Sequence, residues 1–353
     1  METIFSKAKI KSFEVKNRIV MPPVICFNWA DDNGMVTEKH IRHYEEIAKG
    51  GAGLIILEAH CIEKDGRLSR DQLGIWSDNH IEGLKRIADA CHKYGAVVLV
   101  QLQHSGMNTH KSVSETSIGP CNYVRGSKNV KGLSIDEIQA VKLMFVDAAR
   151  RARAAGLDGI EIQGSQGYLI SQFLSPLINS REDEYGGDLV NRTRFACEVI
   201  DEIKSELDDD FIIGFRIGGN EPTLEDGIEI AKIIERSCVD LLHVSFGVLG
   251  SDIPSLPEGF QYSWIAYCGT QIKKHVDIPV ISVGGIRFPK EASELLENGL
   301  SDFVAVGRGQ LVDPEWANKA RSNIEVIPCL KCRSCFWYKD GKDCPGIKNN
   351  SKF

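Results

Sequence analysis

The chain has 353 residues, 42% of them hydrophobic, enough for a large core. That length suits one barrel-sized domain with a short appendage, and two full domains would be cramped. The formal charge of -7 is spread along the chain with no run of Lys and Arg, which excludes nucleic acid and anionic membranes as partners and leaves a small molecule.

The opening METIFSKAKI carries neither a signal-peptide core nor a membrane-spanning stretch, so a cytoplasmic location is expected. Eleven cysteines in that reducing compartment argue against a disulfide framework and leave metal binding open. Short runs of Val, Ile and Leu alternate with stretches of helical periodicity that carry charge on one face. In chain order the strands are expected at Arg18–Val24, Leu54–Ala59, Val97–Leu102, Gly159–Gln163, Ile212–Ile217, Leu241–Ser245, Pro279–Val283 and Phe303–Val306. The intervening helices fall at Thr37–Lys49, Asn79–Lys93, Ser134–Ala155, Leu189–Leu207, Thr223–Ser237, Gln261–His275, Pro289–Asn298 and Asp313–Ser322, with Ser134 and Thr223 placed to cap acidic first turns. Strictly alternating strands and helices make a (β/α)₈ TIM barrel the simplest closed architecture, with a doubly wound open sheet as the alternative. The barrel is assigned to 1–325 and a short cysteine-rich tail to 326–353.

In a barrel the active site is built at the C-terminal ends of the strands. The seventh and eighth strands end in Val283-Gly284-Gly285-Ile286 and Val306-Gly307-Arg308-Gly309, suited to a phosphate held by backbone N–H groups and a guanidinium, or simply to tight turns. Gln101 and Arg216 end the third and fifth strands, where long polar side chains can bond a ring bearing carbonyl and imide groups. No strand end carries the lysine of a Schiff-base aldolase, and no His-x-His supplies a hydrolase metal site. His60 and His104 stand singly on two strands, as packing or substrate-facing groups, while His40 and His43 lie on the first helix, away from the mouth.

Several segments resemble the old yellow enzyme family of NADH:flavin oxidoreductases and ene-reductases. They are Lys16-Asn17-Arg18-Ile19-Val20-Met21-Pro22-Pro23, Gln101-Leu102-Gln103-His104-Ser105-Gly106, Asp158-Gly159-Ile160-Glu161-Ile162 and Gly307-Arg308. The most specific is Gly167-Tyr168-Leu169-Ile170-Ser171-Gln172-Phe173-Leu174-Ser175-Pro176, followed by Arg181-x-Asp183-x-Tyr185-Gly186-Gly187 and Asn191-Arg192. Within the family, Gly164–Ile170 is most similar to the barrel domain of bacterial 2,4-dienoyl-CoA reductases and related ene-reductases of anaerobes. The resemblance implies FMN contacts from Pro22, Pro23, Val24, Ala59, Gln101, Arg216, Gly284, Gly285, Gly307 and Arg308. It also implies hydride transfer from FMN N5 to an activated C=C bond, with Tyr168 as proton donor; the bland alternative is an aromatic packed under the cofactor. Many members hold the substrate carbonyl with two His, or a His and an Asn, three residues apart. Here Gln163 and Gln166 occupy those positions, which leaves His104 as a further candidate anchor. The family's Gly-Arg after the third-strand histidine is also changed, to Gly106-Met107.

The tail reads Cys329-x₂-Cys332-x₂-Cys335-x₈-Cys344-Pro345, a spacing that suits a [4Fe-4S] cluster, with a Cys₄ zinc site and bare thiols as alternatives. Larger relatives resemble it in carrying such a cluster just after the barrel. Cys26 lies near where some members place a flavin-tuning cysteine. The expected substrate is an enone, enoate or enoyl thioester. NADH, NADPH or an electron-donor protein is the source of electrons, and self-association stays open. The alternative function is a flavin/iron–sulfur electron-transfer subunit or NADH oxidase without a double-bond substrate of its own.

Overall fold

A computed structural model of the chain describes residues 3–125, 128–339 and 341–350. Eight parallel strands close into a barrel: β1 (Ile19–Met21), β2 (Leu54–Cys61), β3 (Val97–Gln103), β4 (Gly159–Gly164), β5 (Ile212–Gly218), β6 (Leu241–Ser245), β7 (Val280–Val283) and β8 (Phe303–Ala305). Each strand pairs with the next, and β8 returns to β1 through Val304 opposite Ile19 and Ala305 opposite Val20. The TIM barrel expected from the alternation is therefore the fold. Around it run α1 (Glu38–Lys49), α2 (Ile81–His92), α3 (Ile135–Ala154), α4 (Leu189–Glu206), α5 (Leu224–Arg236), α6 (Trp264–Lys273), α7 (Pro289–Glu297) and α8 (Trp316–Arg321).

The caps form as their residue types require. Ser134 Oγ accepts the Glu137 N–H at 3.2 Å while Glu137 Oε2 accepts the Ser134 N–H at 3.0 Å, and Thr223 Oγ1 accepts the Asp226 N–H at 3.1 Å. Each such cap is worth about 1 kcal/mol. Where ends differ from expectation, proline is the reason. Strand β1 stops at Met21 because Pro22 and Pro23 have no N–H for the ladder. Helix α8 starts at Trp316, since Asp313 precedes Pro314 and is held out of the helical region at φ -133° and ψ 87°.

Alternation along the strands divides the barrel interior into layers. Val20, Leu54, Ile56, Val97, Leu99, Ile212, Leu241, Ile281 and Phe303 form one buried inner cluster. Two residues further along the same inward faces, Leu99 gives way to Gln101 and Leu241 to His243, so the lining turns polar toward the C-terminal end. The opposite end is closed by an antiparallel hairpin, Ala8–Ile10 with Phe13–Val15, whose Ile10 and Val15 join the inner cluster. Its turn residue Lys11 donates to the Phe211 carbonyl at 2.8 Å and pairs with Asp240 at 3.2 Å, just ahead of β5 and β6. Only the C-terminal mouth is left for a site.

Three features of the mouth side are absent from the eight-repeat reading. Residues Ser117–Gly119, Tyr123–Arg125 and Lys128–Gly132 form a small three-stranded sheet between β3 and α3. A wholly buried helix, Leu169–Leu174, follows β4, and a partly buried one, Gly307–Val312, follows β8. Beyond α8 the chain returns to the barrel. Val326 joins the core around Trp316, Ile327 N–H donates to Asp313 Oδ2 at 2.9 Å, and Trp337 packs with ring centroids 5.8 Å from Trp29 and 5.5 Å from His43. Among the described residues no helix is long and apolar enough to cross a membrane.

Candidate active site

The strand ends enclose a cavity of about 470 Å³, within the range of small-molecule sites. Pro22, Pro23 and Val24 after β1, Ser245 and Phe246 at β6, Val283–Arg287 at β7 and Gly307–Gly309 after β8 form its walls. Gln166, Tyr168 and Arg216 contribute from β4 and β5. Arg216, Arg287, Arg308 and Lys331 line it, and no carboxylate does. In a chain of net charge -7 this is a local concentration of positive charge that selects an anionic ligand.

The wall after β7 is shaped by glycine. Gly284 has φ 136°, and a Cβ there would stand 2.3 Å from Ser263 Oγ, which donates to the Gly284 carbonyl at 2.7 Å. Gly285, at φ 79°, is strained for any side chain yet faces open space, so its backbone is presented bare to the cavity. Arg308 stands exposed on the neighbouring wall.

Arg216, on β5, lines the same cavity. It is buried, and its Nε has no hydrogen-bond partner within the described chain. Burial pulls the guanidinium below its ordinary value, opposed by the Glu161 carboxylate and by Tyr168. Beneath it, Glu161 accepts from Gln101 Nε2 at 2.7 Å and from His243 Nδ1 at 2.8 Å, all three being buried. Burial lowers the affinity of His243 for a second proton, so the neutral ring donates to Glu161 through Nδ1–H. Gln101 is thus fixed from below, just behind the lining residues, and Ala59 is likewise buried, its carbonyl accepting from Gln72 at 3.0 Å.

The substrate-side residues divide. Tyr168 lines the cavity beside Arg216, carried at the N-cap of the Leu169–Leu174 helix. Gln166 lines it from a left-handed backbone position, φ 61°, with its N–H bonded to the Phe246 carbonyl at 2.8 Å. Gln163 is buried behind it, donating to Gln166 Oε1 at 3.0 Å and accepting from Ser165 Oγ at 2.8 Å. His104 does not line the cavity. Its Nδ1 accepts the Gly106 N–H at 2.9 Å and its Nε2 meets Glu63 at 2.8 Å, so both ring nitrogens are engaged. Phe27, Leu68, Phe246 and Ile265 give the mouth an apolar rim; Phe27 and Leu68 sit in loops with no periodicity and Ile265 on a helix, so only Phe246, next to the end of β6, is marked out by its place in sequence.

Neither His40 nor His43 lines the cavity, as expected of residues away from the mouth, and His60 is packed with Nδ1 on the Glu58 carbonyl at 2.7 Å. Cys26 is also off the lining. Burial, with Glu58 beside it, pushes its thiol well above the ordinary range, leaving it inert.

The four tail cysteines are not assembled as a ligand set. Among the described residues no group of three or more His, Cys, Asp or Glu side chains stands where it could hold a metal ion. Cys329 is buried at the cavity wall while Cys332, Cys335 and Cys344 are partly exposed along the tail. Thiol ligands of this kind are drawn together by the ion they bind, so spacing in sequence does not by itself gather them.

Comparison with known proteins agrees with this geometry. The chain is 41% identical over 345 residues to the NADH oxidase of Thermoanaerobacter brockii, covering 93% of this chain but 52% of that protein, so it spans about half of that relative. It is 38% identical over 319 residues to the NADPH dehydrogenase of Clostridium acetobutylicum, covering 88% of this chain and 92% of that one. Among solved structures, a 2-naphthoyl-CoA reductase in complex with 2-naphthoyl-CoA superposes with a TM-score of 0.88 at 26% identity, over 98% of this chain and 57% of that one. Morphinone reductase, at 23% identity and a TM-score of 0.80 over 98% of each chain, shares the fold. With the family's sequence profile matching residues 3–326, the chain belongs to the NADH:flavin oxidoreductase / NADH oxidase family, the old yellow enzymes.

Proposed function

We propose that the protein is an FMN-dependent NAD(P)H oxidoreductase that reduces the activated C=C bond of an α,β-unsaturated carbonyl compound. The observation that carries this reading is the charge of the cavity lining, a single buried guanidinium, Arg216, with three further cations, Arg287, Arg308 and Lys331, and no acid among them. The donors fit FMN. Arg216, whose Nε has no partner among the described residues, would hold the ring edge where negative charge builds on reduction, and the bare backbone at Gly285 with Arg287 and Arg308 would hold the phosphate. When bound, FMN supplies the hydride acceptor and donor chemistry. The protein's own part is positioning and proton delivery. Pro22, Pro23 and Val24 wall the ring, the Glu161–Gln101 pair stiffens the floor, and the apolar rim of Phe27, Leu68, Phe246 and Ile265 excludes water and receives the substrate. Tyr168 holds the proton delivered to the substrate α carbon, and the Gln163–Gln166 pair orients the carbonyl through the remaining amide N–H of Gln166.

The solved 2-naphthoyl-CoA reductase complex favours a thioester among the candidate substrates, and the NADPH dehydrogenase relatives favour a pyridine nucleotide as direct donor. A second reading, a flavin electron carrier without a double-bond substrate, is favoured by the NADH oxidase relative and by Cys329 at the cavity wall. The iron–sulfur assignment of Cys329, Cys332, Cys335 and Cys344 rests on their spacing alone. The test is a visible spectrum of anaerobically purified protein, followed by stopped-flow reduction with NADH or NADPH and reoxidation by enoates and enoyl thioesters. Flavin absorbance bleached by the nucleotide and restored by an enoyl compound supports the reductase; restoration only by oxygen or artificial acceptors supports the carrier; colourless, FMN-supplemented protein refutes both.

A further inference from the structure

We infer that the strap running from Cys329 to Lys331 is a wall of the cofactor site, and that Lys331 pairs with the phosphate of bound FMN. The inference rests on the FMN reading above and adds to it a residue beyond the matched stretch 3–326.

The strap is held against the barrel from both sides. Upstream, the Ile327 N–H is fixed by Asp313. At Cys329 the carbonyl accepts from Arg287 Nη1 at 3.2 Å, and that guanidinium also lies 5.0 Å from the Phe288 ring centroid, which fixes the plane of its fork. Downstream, Trp337 is packed between Trp29 and His43. So anchored, the chain bends at Lys331, which takes the left-handed conformation at φ 51°, and both Cys329 and Lys331 line the cavity.

The chemistry of that end selects the ligand. Arg287 from β7, Arg308 after β8 and Lys331 from the tail all line a cavity that has no acidic lining residue, and the Arg287 bond to the Cys329 carbonyl brings the strap to that arginine. Neither Arg308 nor Lys331 takes part in an ion pair with another described residue, so their charge is available to a ligand. A phosphate monoester carries about -1.5 to -2 charge near neutral pH, more than one guanidinium neutralises. Arg287 also spends one donor on the strap itself, which leaves a lysine, a compact point charge with three donors, as the natural third partner. The bond is charge-assisted but lies at an exposed rim, so its loss should weaken FMN about five- to tenfold.

Full-length protein, stripped of flavin and titrated with FMN or riboflavin by fluorescence quenching, separates the phosphate from the ring. We expect Lys331→Gln to raise the Kd for FMN about five- to tenfold and Lys331→Glu to raise it further, with Lys331→Arg within about twofold of the unaltered protein. The Kd for riboflavin should not move in any of them, and added salt should weaken FMN binding more in the unaltered protein than in Lys331→Gln. An equal change for both flavins would make Lys331 merely structural and overturn the inference, as would no change at all. A changed KM for NADPH or NADH with an unchanged FMN Kd would move the lysine to the nucleotide and overturn it too. Intact FMN binding in these cases leaves the proposed function standing, whereas an unaltered protein that binds neither flavin removes both.

Discussion

Glu221 offers a quantitative test of how the mouth is held together. It follows β5, is fully buried, and its Oε2 accepts from Ser171 Oγ at 2.7 Å and from the Val248 N–H at 2.9 Å. It thereby ties the helix behind Tyr168 to the loop that carries Phe246. Burial raises its pKa from the ordinary 4.5 to about 7, against the lowering pull of the bonds from Ser171 and Val248. The folded state therefore holds this proton more tightly than the unfolded chain does. Its contribution to stability is fully present below about pH 4.5 and is lost as pH rises through about 7. Converted at about 1.4 kcal/mol per pH unit, the rise sets a ceiling of about 3–4 kcal/mol, and local relaxation brings the expected effect to roughly 1–2 kcal/mol. Glu221→Gln has the same shape, keeps an oxygen for both bonds and never ionises. Urea unfolding at pH 5, 6, 7 and 8.5 should find the two proteins of similar stability at the acid end and Glu221→Gln ahead by roughly 1–2 kcal/mol at the alkaline end, with unchanged slopes. Other buried groups, including Glu58 near 7 and His40 near 3, are present in both proteins and cancel. Parallel stability curves, or a Glu221→Gln protein that falls behind as pH rises, would refute the reasoning and make Glu221 a favourable buried anion.

Replacing Tyr168 with Phe removes one hydroxyl from the cavity and should slow reoxidation of reduced flavin by an enoyl substrate about 10²–10⁴-fold, while reduction by NAD(P)H stays within a few-fold in stopped flow. His104→Gln should lower thermal stability, because the buried bonds to Glu63 and Gly106 are disturbed, but leave substrate KM unchanged; a large KM increase would return His104 to the substrate site. Gly285→Val forces a β-branched side chain into φ 79° and into the phosphate end, so the purified protein should carry markedly less flavin per chain. Iron and acid-labile sulfide assayed on anaerobic protein should approach four of each per chain if Cys329, Cys332, Cys335 and Cys344 assemble a [4Fe-4S] cluster, and a Cys332→Ala variant should lose both.

The barrel was legible because its information is periodic. Each strand carries the same inward alternation, and each helix is announced by local chemistry such as Ser134 with Glu137 or Thr223 with Asp226, so all eight repeats are recoverable one at a time. The cavity-lining residues were legible for a related reason. Once a strand is placed, its last residues and the loop that follows are known, which is how Arg216 at the end of β5 and Gly284, Gly285 and Gly307 just beyond β7 and β8 emerge from the chain alone. What stayed hidden depends on contacts between repeats. Glu161 was visible as a strand residue, but its role appears only when Gln101 and His243 meet it from β3 and β6. His104 had the right type at a strand end, yet Glu63 and the Gly106 N–H take its two nitrogens.

The tail shows the same limit most sharply. Its cysteines stand out in sequence by spacing, and that spacing says nothing of the barrel, whereas the residues that bind it there, Trp337, Ile327 and the Cys329 carbonyl, carry no pattern at all. Their partners Trp29, Asp313 and Arg287 come from three separate loops at the mouth. A segment fixed at three such points cannot leave the cavity without exposing Trp337 and freeing the Arg287 fork. If the cysteines do gather around an ion, Cys332 and Cys335 must move between the anchors at Cys329 and Trp337 while Cys344 approaches from beyond Trp337, and the cavity wall at Cys329 moves with them.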